Sequence, residues 1–353
     1  MKKVLSVLLI AAIAISMLAG CSSKKESAST PQAGTETTKT ETSEATKDPL
    51  SFKLTVTGTE IAIDTLMGQK FAELVSEATD GQIEVTVYPN DQLAGGNQTK
   101  GIEMLGQGIA DFGIYGISTL AILDKRVAVA NLPYLFADYA DANSIFDSTG
   151  GEFMEKVFAD VDLVYLGNAH NSFRQISNNK HTVKTPDDIK GLKIRIPGGQ
   201  IFLDIWKAFG ADPITMSWSE VFTALQQGTI DGQDNGPKAS DSNSIYEVNK
   251  FYTVFNYMYD GYPLIMSKKA WDKLDADQQA IIKECATEAI AWARNEIETN
   301  DEKILQKFAD EYNVEVTYLT AEEQEPFKAL VAPIVEEYKG VYGEEACKAF
   351  GVE

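Results

Sequence analysis

Histidine and cysteine, which most often bind metals or act as catalytic bases and nucleophiles, are scarce in this sequence. The 353 residues include two histidines and three cysteines. There is no H-x-x-x-H, C-x-x-C or G-x-S-x-G motif, and no glycine loop of the phosphate-binding type. We therefore expect no metal, no cofactor and no enzymatic activity. An extracellular hydrolase acting through carboxylates is the alternative, although no pair stands out among the 52 acidic residues.

Positive charge is also in short supply. Lys and Arg total 31 against 52 Asp and Glu, which gives a formal net charge of −21. Nucleic acids and anionic membrane surfaces attract basic proteins, so this balance argues against both as partners. If such a protein binds a small anion, it needs a local positive cavity. Two arginines in a low-dielectric cleft would supply one.

The sequence has no apolar run long enough for a comfortable membrane span. The run Val4–Ala19 follows two lysines, which is typical of a signal peptide over residues 1–20. The residues L-A-G-C resemble a bacterial lipobox, in which Cys21 is lipidated. Residues 21–50 are predicted to be the lipid-anchor site and a disordered, Ser/Thr-rich tether. The protein is then expected on the extracytoplasmic face of the cell membrane, held there by its lipid.

The remaining cysteines and both histidines are expected to be structural. Cys285 lies on the apolar stripe of a predicted helix, which favours a buried thiol, and a disulfide with Cys347 is the alternative for an exported protein. His181 lies in a polar run and is predicted to be solvated. His170 falls near a predicted domain crossing, where a hydrogen-bonded junction histidine is favoured over a ligand contact.

The first third of the globular region alternates strands and helices. Alternating apolar residues predict strands at Phe52–Val56, Ile83–Val87 and Phe112–Tyr115, with helical spacing between them. This β-α-β-α-β pattern is typical of a parallel sheet covered by helices. The apolar fraction of 44% is large enough for a sizeable core.

Ligands of such sheets bind at the carboxyl ends of the strands. The loops Thr57–Glu60 and Tyr115–Thr119 and the loop at Asn97 should therefore line one rim. Glu60 and Tyr115 are candidate ligand-binding residues on this position alone. Glu60 is equally compatible with a solvated loop acid.

The chain is then predicted to cross into a second unit and to return. We predict a strand at Leu163–Leu166, a connection over Asn168–Phe173, and a further strand that includes Arg174. A helix over about 276–309 should begin at Asp275, with Gln278 completing a capping box, and would be ~50 Å long. A late strand and a terminal helix after Pro326 complete the chain.

The stretch 190–237 contains the strongest functional signal. Leu192, Ile194 and Ile196 alternate around Arg195 in a predicted strand. A cation inside a strand is costly unless it has an anionic partner. The residues alone leave two partners open, a ligand carboxylate or a structural salt bridge.

Ordered motifs in this stretch resemble one protein family. G-L-K-I-R-I-P, G-A-D-P, M-S-W-S-E-V, A-L-Q-Q-G and D-G-Q-D-N are similar to motifs of the solute-binding proteins of tripartite ATP-independent periplasmic (TRAP) transporters. The resemblance extends from about Phe52 to the end of the chain. It implies an α/β fold with two periplasmic-binding-protein-like lobes, spanned by a long helix. Lobe I would comprise 51–172 and about 262–300, and lobe II 173–261 and about 301–353.

The same resemblance assigns roles to residues. The arginine matching Arg195 binds the substrate carboxylate in the family, and the asparagine matching Asn235 supports the same ligand. An arginine at the position of Arg174 resembles sugar-acid binders more than dicarboxylate binders, with an interdomain salt bridge as the alternative. Trp218 matches an aromatic residue that packs on the substrate, with a core position at a helix start as the alternative.

The resemblance also implies a function. The chain would capture a small organic acid, a uronate or aldonate in preference to a C4-dicarboxylate, and deliver it to a TRAP-type membrane permease. A binding protein for an ATP-driven importer is the other alternative. The family usually reads E-N-P where this chain reads Asp234-Asn235-Gly236, a departure that bears on the substrate subclass.

Overall fold

The computed structural model describes residues 49–352 of the chain. The predicted signal peptide, Cys21 and the tether up to residue 48 lie outside the described residues. The strands are β1 (Leu50–Val56), β2 (Ile83–Tyr88), β3 (Phe112–Ile114), β4 (Leu163–Asn178), β5 (Lys193–Ile196), β6 (Asp212–Thr215), β7 (Gly232–Asn235), β8 (Phe251–Ser267) and β9 (Glu315–Tyr318).

Helices of one to ten turns connect the strands or follow the last of them. They are α1 (Ile63–Ala78), α2 (Gln98–Gly106), α3 (Ile117–Leu120), α4 (Tyr139–Phe146), α5 (Thr149–Ala159), α6 (Gln200–Ala208), α7 (Trp218–Gln226), α8 (Pro237–Ser242), α9 (Ile245–Val248), α10 (Lys268–Trp271), α11 (Ala276–Tyr312), α12 (Ala321–Tyr342) and α13 (Glu344–Ala349). Short 3-10 segments occur at Gln92–Ala94, Lys125–Asn131 and Pro186–Ile189.

Within residues 49–352 the nine strands form one sheet, in the order β2-β1-β3-β8-β4-β7-β5-β6, with β9 added to β8. β1 pairs in parallel with β2 and β3, and these three strands are called the first half-sheet. β5 pairs in parallel with β6 and β7, which form the second half-sheet. The antiparallel strands β4 and β8 lie between the two. The predicted parallel α/β pattern is therefore present twice, in two halves joined by long strands.

The crossing between the halves differs from the prediction. Asn168–Phe173 was expected to be a connection, but it belongs to β4, which continues from Leu163 to Asn178. The strand pairs with β8 through three register shifts, which begin after Tyr165, His170 and Arg174. Such bulges break the alternation of apolar and polar residues, so the polar residues of this segment did not resemble a strand.

The long helix matches its prediction closely. α11 covers 37 residues, and Asp275 and Gln278 form the capping box at its start. Its first half packs Ile282 and Ala289 against the core of the first half-sheet. Its last turns pack Ile304 and Phe308 in a separate cluster with residues of β8. One helix therefore contacts both parts of the protein, as expected.

The terminal helix begins earlier than predicted. α12 begins at Ala321, five residues before Pro326, and contains Pro333 as well. Thr320 caps the helix and forms a capping box with Glu323. This cap outweighs the proline, which lies in the second turn and removes a single backbone hydrogen bond there.

The cysteines and histidines have structural surroundings. Cys285 and Cys347 are both buried free thiols, so the disulfide alternative is not realised. His170 lies with Nδ1 2.8 Å from the Tyr259 hydroxyl and Nε2 3.1 Å from Glu298 Oε1. Burial lowers the pKa of His170 to about 4, which keeps it neutral. His181 is exposed, as predicted.

No helix between residues 49 and 352 is both long and apolar enough to cross a membrane.

Candidate ligand-binding site

A cavity of about 40 Å³ lies between the two half-sheets. The first half-sheet contributes loops that follow its strands, and the second contributes the ends of β5 and β7 and the start of α7. The crossing strands β4 and β8 close the cavity from the third side. The polar lining residues include Thr57, Gln98, Ser118, Asn171, Arg174, Arg195, Asn235, Asp260 and Tyr262. Most of the loops that were predicted to form a rim therefore do so.

Arg195 is a buried cation without a fixed anion. Its side chain is 2% exposed, and Nε and Nη2 donate to the Met216 carbonyl oxygen at 3.1 and 2.9 Å. Within the described part of the chain no carboxylate lies within salt-bridge distance of it. Burial, and then the charge of Arg174, lower the pKa of Arg195 to about 9, so it remains charged at neutral pH. The structural salt bridge that the sequence left open is absent here.

Arg174, in contrast, has two carboxylate partners. Its Nε donates to Asp234 Oδ1 at 2.9 Å, and Nη1 donates to Asp260 Oδ2 at 2.8 Å. Nη2 also donates to the Asp234 carbonyl oxygen. Burial alone would lower the pKa of Arg174, but the charges of Asp234 and Asp260 raise it above its ordinary value. The salt-bridge alternative is therefore present, although the residue also lines the cavity.

The formal charges of these buried groups cancel. Two arginines and two aspartates give zero net charge, and the acids are held by Arg174. Arg174, Asp234 and Asp260 together carry a formal charge of −1, and Arg195 carries a charge of +1 that neither carboxylate contacts. An anion in the cavity would find its counter-charge there.

Asn235 ends β7 and lines the cavity. Its Oδ1 accepts a hydrogen bond from the Gly236 amide at 2.9 Å, which leaves the side-chain NH2 group as the available donor. The strand register brings this residue opposite Gln175 of β4. Asn235 is thus positioned by backbone pairing and by the turn that follows it.

Trp218 is a core residue at a helix start, as the alternative interpretation predicted, and it also borders the cavity. It begins α7, directly after Ser217, whose capping box with Glu220 fixes the start of the helix. Its ring packs with Val221 in a small apolar cluster. The same ring lies 5.2 Å from the Arg195 guanidinium carbon and borders the cavity.

The structure does not bring Tyr115 or Glu60 to the cavity, which corrects their predicted placement. Tyr115 is fully buried, and its hydroxyl hydrogen-bonds to Thr55 Oγ1 at 3.0 Å and Asp91 Oδ1 at 3.1 Å. Its ring fills core space beside α2, and the following loop residues line the cavity instead. Glu60 is exposed to solvent, while Gly58 of the same loop reaches the cavity.

Sequence reasoning missed Asp260, which connects several elements. Its carboxylate accepts hydrogen bonds from five donors, namely Ser118 N and Oγ, Asn131 Nδ2, Asn171 Nδ2 and Arg174 Nη1. The available signal was indirect: a buried Arg174 requires carboxylate partners, but nothing in the sequence identifies them.

Two hydrogen bonds cross the cleft directly. Thr59 Oγ1 donates to the Ser242 carbonyl oxygen at 3.2 Å, and Ser219 Oγ donates to the Gly96 carbonyl oxygen at 3.3 Å. Each joins a loop of the first half-sheet to a helix of the second. The two halves are therefore closed over the cavity in this structure.

The departure at Gly236 has a steric explanation. A Cβ at this position would lie 2.3 Å from the Ser172 Cβ of the neighbouring β4 strand. The φ angle of −77° would itself suit proline. The close approach of β4 therefore excludes the proline, and Pro237 begins α8 instead.

A larger groove lies beside the cavity but lacks its buried charges. Its volume is about 720 Å³, and the apolar side chains that border it include Ile102, Ile122 and Val341. Neither buried arginine borders it. We regard the smaller, polar cavity as the candidate site because it contains Arg195.

Comparisons with known proteins agree with this arrangement. A sequence model of the family described as bacterial extracellular solute-binding protein, family 7 (DctP), matches residues 58–340. The C4-dicarboxylate-binding periplasmic protein DctP of Rhodobacter capsulatus is 32% identical over 298 residues, covering 82% of this chain and 87% of that protein. The C4-dicarboxylate-binding protein DctB of Bacillus subtilis is 28% identical, covering 86% of each chain.

Solved structures give the same answer. The sugar acid binding protein of Advenella mimigardefordensis in complex with galactonate is 30% identical, with a TM-score of 0.82, covering 86% of this chain and 98% of that chain. A TRAP periplasmic solute-binding protein of Shewanella oneidensis with bound succinate is 29% identical, with a TM-score of 0.80 and the same coverage. The chain belongs to the DctP family of extracytoplasmic solute-binding proteins of TRAP transporters and has their two-lobed α/β fold.

Proposed function

We propose that this chain captures one small organic anion outside the cytoplasm and delivers it to the membrane permease of a TRAP-type secondary transporter. The observation that carries the proposal is Arg195, a buried cation without a fixed anion in a cavity closed by two half-sheets. A solute carboxylate supplies the missing charge. Such a protein holds its solute unchanged, so no turnover is expected.

The geometry of Arg195 suits a carboxylate. A guanidinium has five N–H donors, and two of its nitrogens share the Met216 carbonyl oxygen. Both N–H groups of Nη1 and one of Nη2 have no partner within residues 49–352. Neighbouring Nη1 and Nη2 groups match the two oxygens of a carboxylate. The Asn235 amide adds a donor at the end of the adjacent strand.

A sugar acid, a uronate or aldonate, fits the charges better than a C4-dicarboxylate. The first carboxylate pairs with Arg195, but Arg174 is already neutralised by Asp234 and Asp260. No lysine borders the cavity among the described residues. A second carboxylate would thus be buried without a cation, whereas hydroxyls need only hydrogen-bond partners. Relatives are named for both classes, galactonate and succinate among them.

Calorimetry with galactonate, glucuronate, erythronate and succinate tests this ranking. We expect clear heat from at least one sugar acid and weaker binding of succinate. Succinate binding without heat from any sugar acid would reverse the ranking. Mass spectrometry of the recovered solute separates binding from hydrolysis, because a hydrolase would return a changed compound.

We further propose that the mature chain is anchored to the membrane by a lipid on Cys21. The support is the L-A-G-C motif after the apolar run and the Ser/Thr-rich stretch that follows it.

A further inference from the structure

Asn171 has a buried acceptor without a donor. It lies in β4, is 5% exposed and borders the cavity. Its Nδ2 donates to Asp260 Oδ2 at 3.3 Å. Its Oδ1 is buried and has no hydrogen-bond partner within residues 49–352. A buried acceptor in this condition is costly unless something in the adjacent space donates to it.

The orientation of the amide is fixed by its neighbour. Rotating the Asn171 amide by half a turn would place Oδ1 against the Asp260 carboxylate, so two acceptors would face each other. Nδ2 must therefore stay on Asp260, and Oδ1 must be the atom left over. The unsatisfied acceptor is consequently a property of the site and does not arise from the choice of amide rotamer.

Asp260 cannot take over as the acceptor for a solute. Its two oxygens already receive hydrogen bonds from five donors, which is more than the usual complement of its lone pairs. The arginines and the Asn235 amide are donors. Asn171 Oδ1 is thus an atom at the cavity that can still accept a hydrogen bond.

We propose that Asn171 is a specificity-determining residue that accepts a hydrogen bond from a solute hydroxyl and selects hydroxylated acids. This inference rests on the proposed function, since it concerns the same cavity. A carboxylate bound to Arg195 has no proton to donate, so the donor must be another group of the solute. An acid that lacks this hydroxyl leaves Oδ1 unpaired and should bind about 5- to 150-fold more weakly.

A thermodynamic cycle tests the assignment. The probe is whichever of galactonate, glucuronate and erythronate the parent protein binds most tightly, together with its monodeoxy analogues, each lacking one hydroxyl. Affinities are measured by calorimetry for the parent and for Asn171→Leu, which has a similar shape and no acceptor. Asn171→Ser provides a second, smaller variant if the leucine variant does not fold.

Asn131→Leu is the matched control. Asn131 Nδ2 donates to Asp260 at 3.4 Å and to the Tyr259 carbonyl oxygen at 3.0 Å, and its Oδ1 is buried without a partner among the described residues, but the residue does not border the cavity. Both variants remove one donor from Asp260. A role of Asn171 that acts only through Asp260 would therefore appear in both variants.

The expected result is that one analogue loses 5- to 150-fold in the parent and in Asn131→Leu, but loses less than about threefold in Asn171→Leu. Equal losses in the parent and Asn171→Leu for every analogue would overturn the assignment. Tighter binding of succinate than of any hydroxylated acid would also overturn the role of Asn171. If Arg195→Lys then weakened succinate binding, the proposed carboxylate site at Arg195 would still be supported. A folded parent protein that binds none of these acids would overturn the proposed function itself, and the role of Asn171 with it.

Discussion

Replacing Arg195 by methionine should weaken solute binding by at least about 30-fold while leaving the ligand-free fold almost as stable as before. Methionine has a similar length and carries no charge. Truncating one side of a buried charge pair costs about 2–5 kcal/mol, or roughly 30- to 5,000-fold in affinity. Arg195→Lys keeps the charge but loses the paired donors, so it should still lose at least about tenfold.

The stability of the empty protein should respond differently. Burial and Arg174 lower the pKa of Arg195, which means that the fold disfavours its charged form. Methionine removes this electrostatic cost, and the loss of the Met216 hydrogen bonds and of the Trp218 contact offsets the gain. The melting temperature should therefore change by only a few degrees.

Arg174→Met is the matched comparison. Arg174 pairs with Asp234 and Asp260, both fully buried. Removing the cation leaves two buried carboxylates without their partner, which costs about 3–5 kcal/mol in the free energy of unfolding. Chemical denaturation and calorimetry of the two variants measure both quantities. The reasoning would be refuted if Arg195→Met unfolded as early as Arg174→Met while its folded fraction bound the solute with parental affinity.

Three further predictions concern other parts of the chain. Cys21→Ser should release the protein from membranes or leave it unprocessed, and unchanged fractionation with membranes would contradict the anchor. Gly236→Ala should destabilise the fold by about 1–3 kcal/mol through overpacking against Ser172, and Ser172→Gly in the same chain should restore part of the loss. Burial raises the pKa of Asp64 to about 6, so its protonated form is favoured in the fold. Its contribution to stability is then present below about pH 4 and is lost as the pH rises through 6. Asp64→Asn should flatten the fall in melting temperature between these values, and an unchanged slope would exclude this origin.

The sequence was informative where signals are local. Arg195 stood out because alternating apolar residues surround it, and the start of α11 was located because the two residues of its capping box, Asp275 and Gln278, are close in sequence. Three of the four residues expected at the cleft from the family resemblance, Arg195, Asn235 and Trp218, follow motifs that are continuous in sequence. These residues do border the cavity.

Long-range partners could not be predicted. Asp234 and Asp260 lie 60 and 86 residues from Arg174, and only strand pairing brings them together. The sequence also did not predict which way a side chain points at the end of a strand. Tyr115 points into the core, whereas its neighbour Gly116 borders the cavity. The middle of β4 was not predicted as a strand because its bulges interrupt the alternation of apolar and polar residues on which strand prediction depends.

The pairing of β4 with β8 has a consequence for how solute recognition can be exchanged between relatives. Asn178 at the end of β4 lies directly opposite Phe251 at the start of β8. Everything between them, residues 179–250, forms one uninterrupted segment that contains the whole second half-sheet and Arg195, Trp218 and Asn235. Its two ends are neighbours in the sheet, so residues 179–250 could be exchanged for the matching segment of a relative by joining the two chains at these two points. The half of the cleft that contains Arg195 is thus continuous in sequence, whereas Asn171 on β4 and Asp260 on β8 would stay with the recipient.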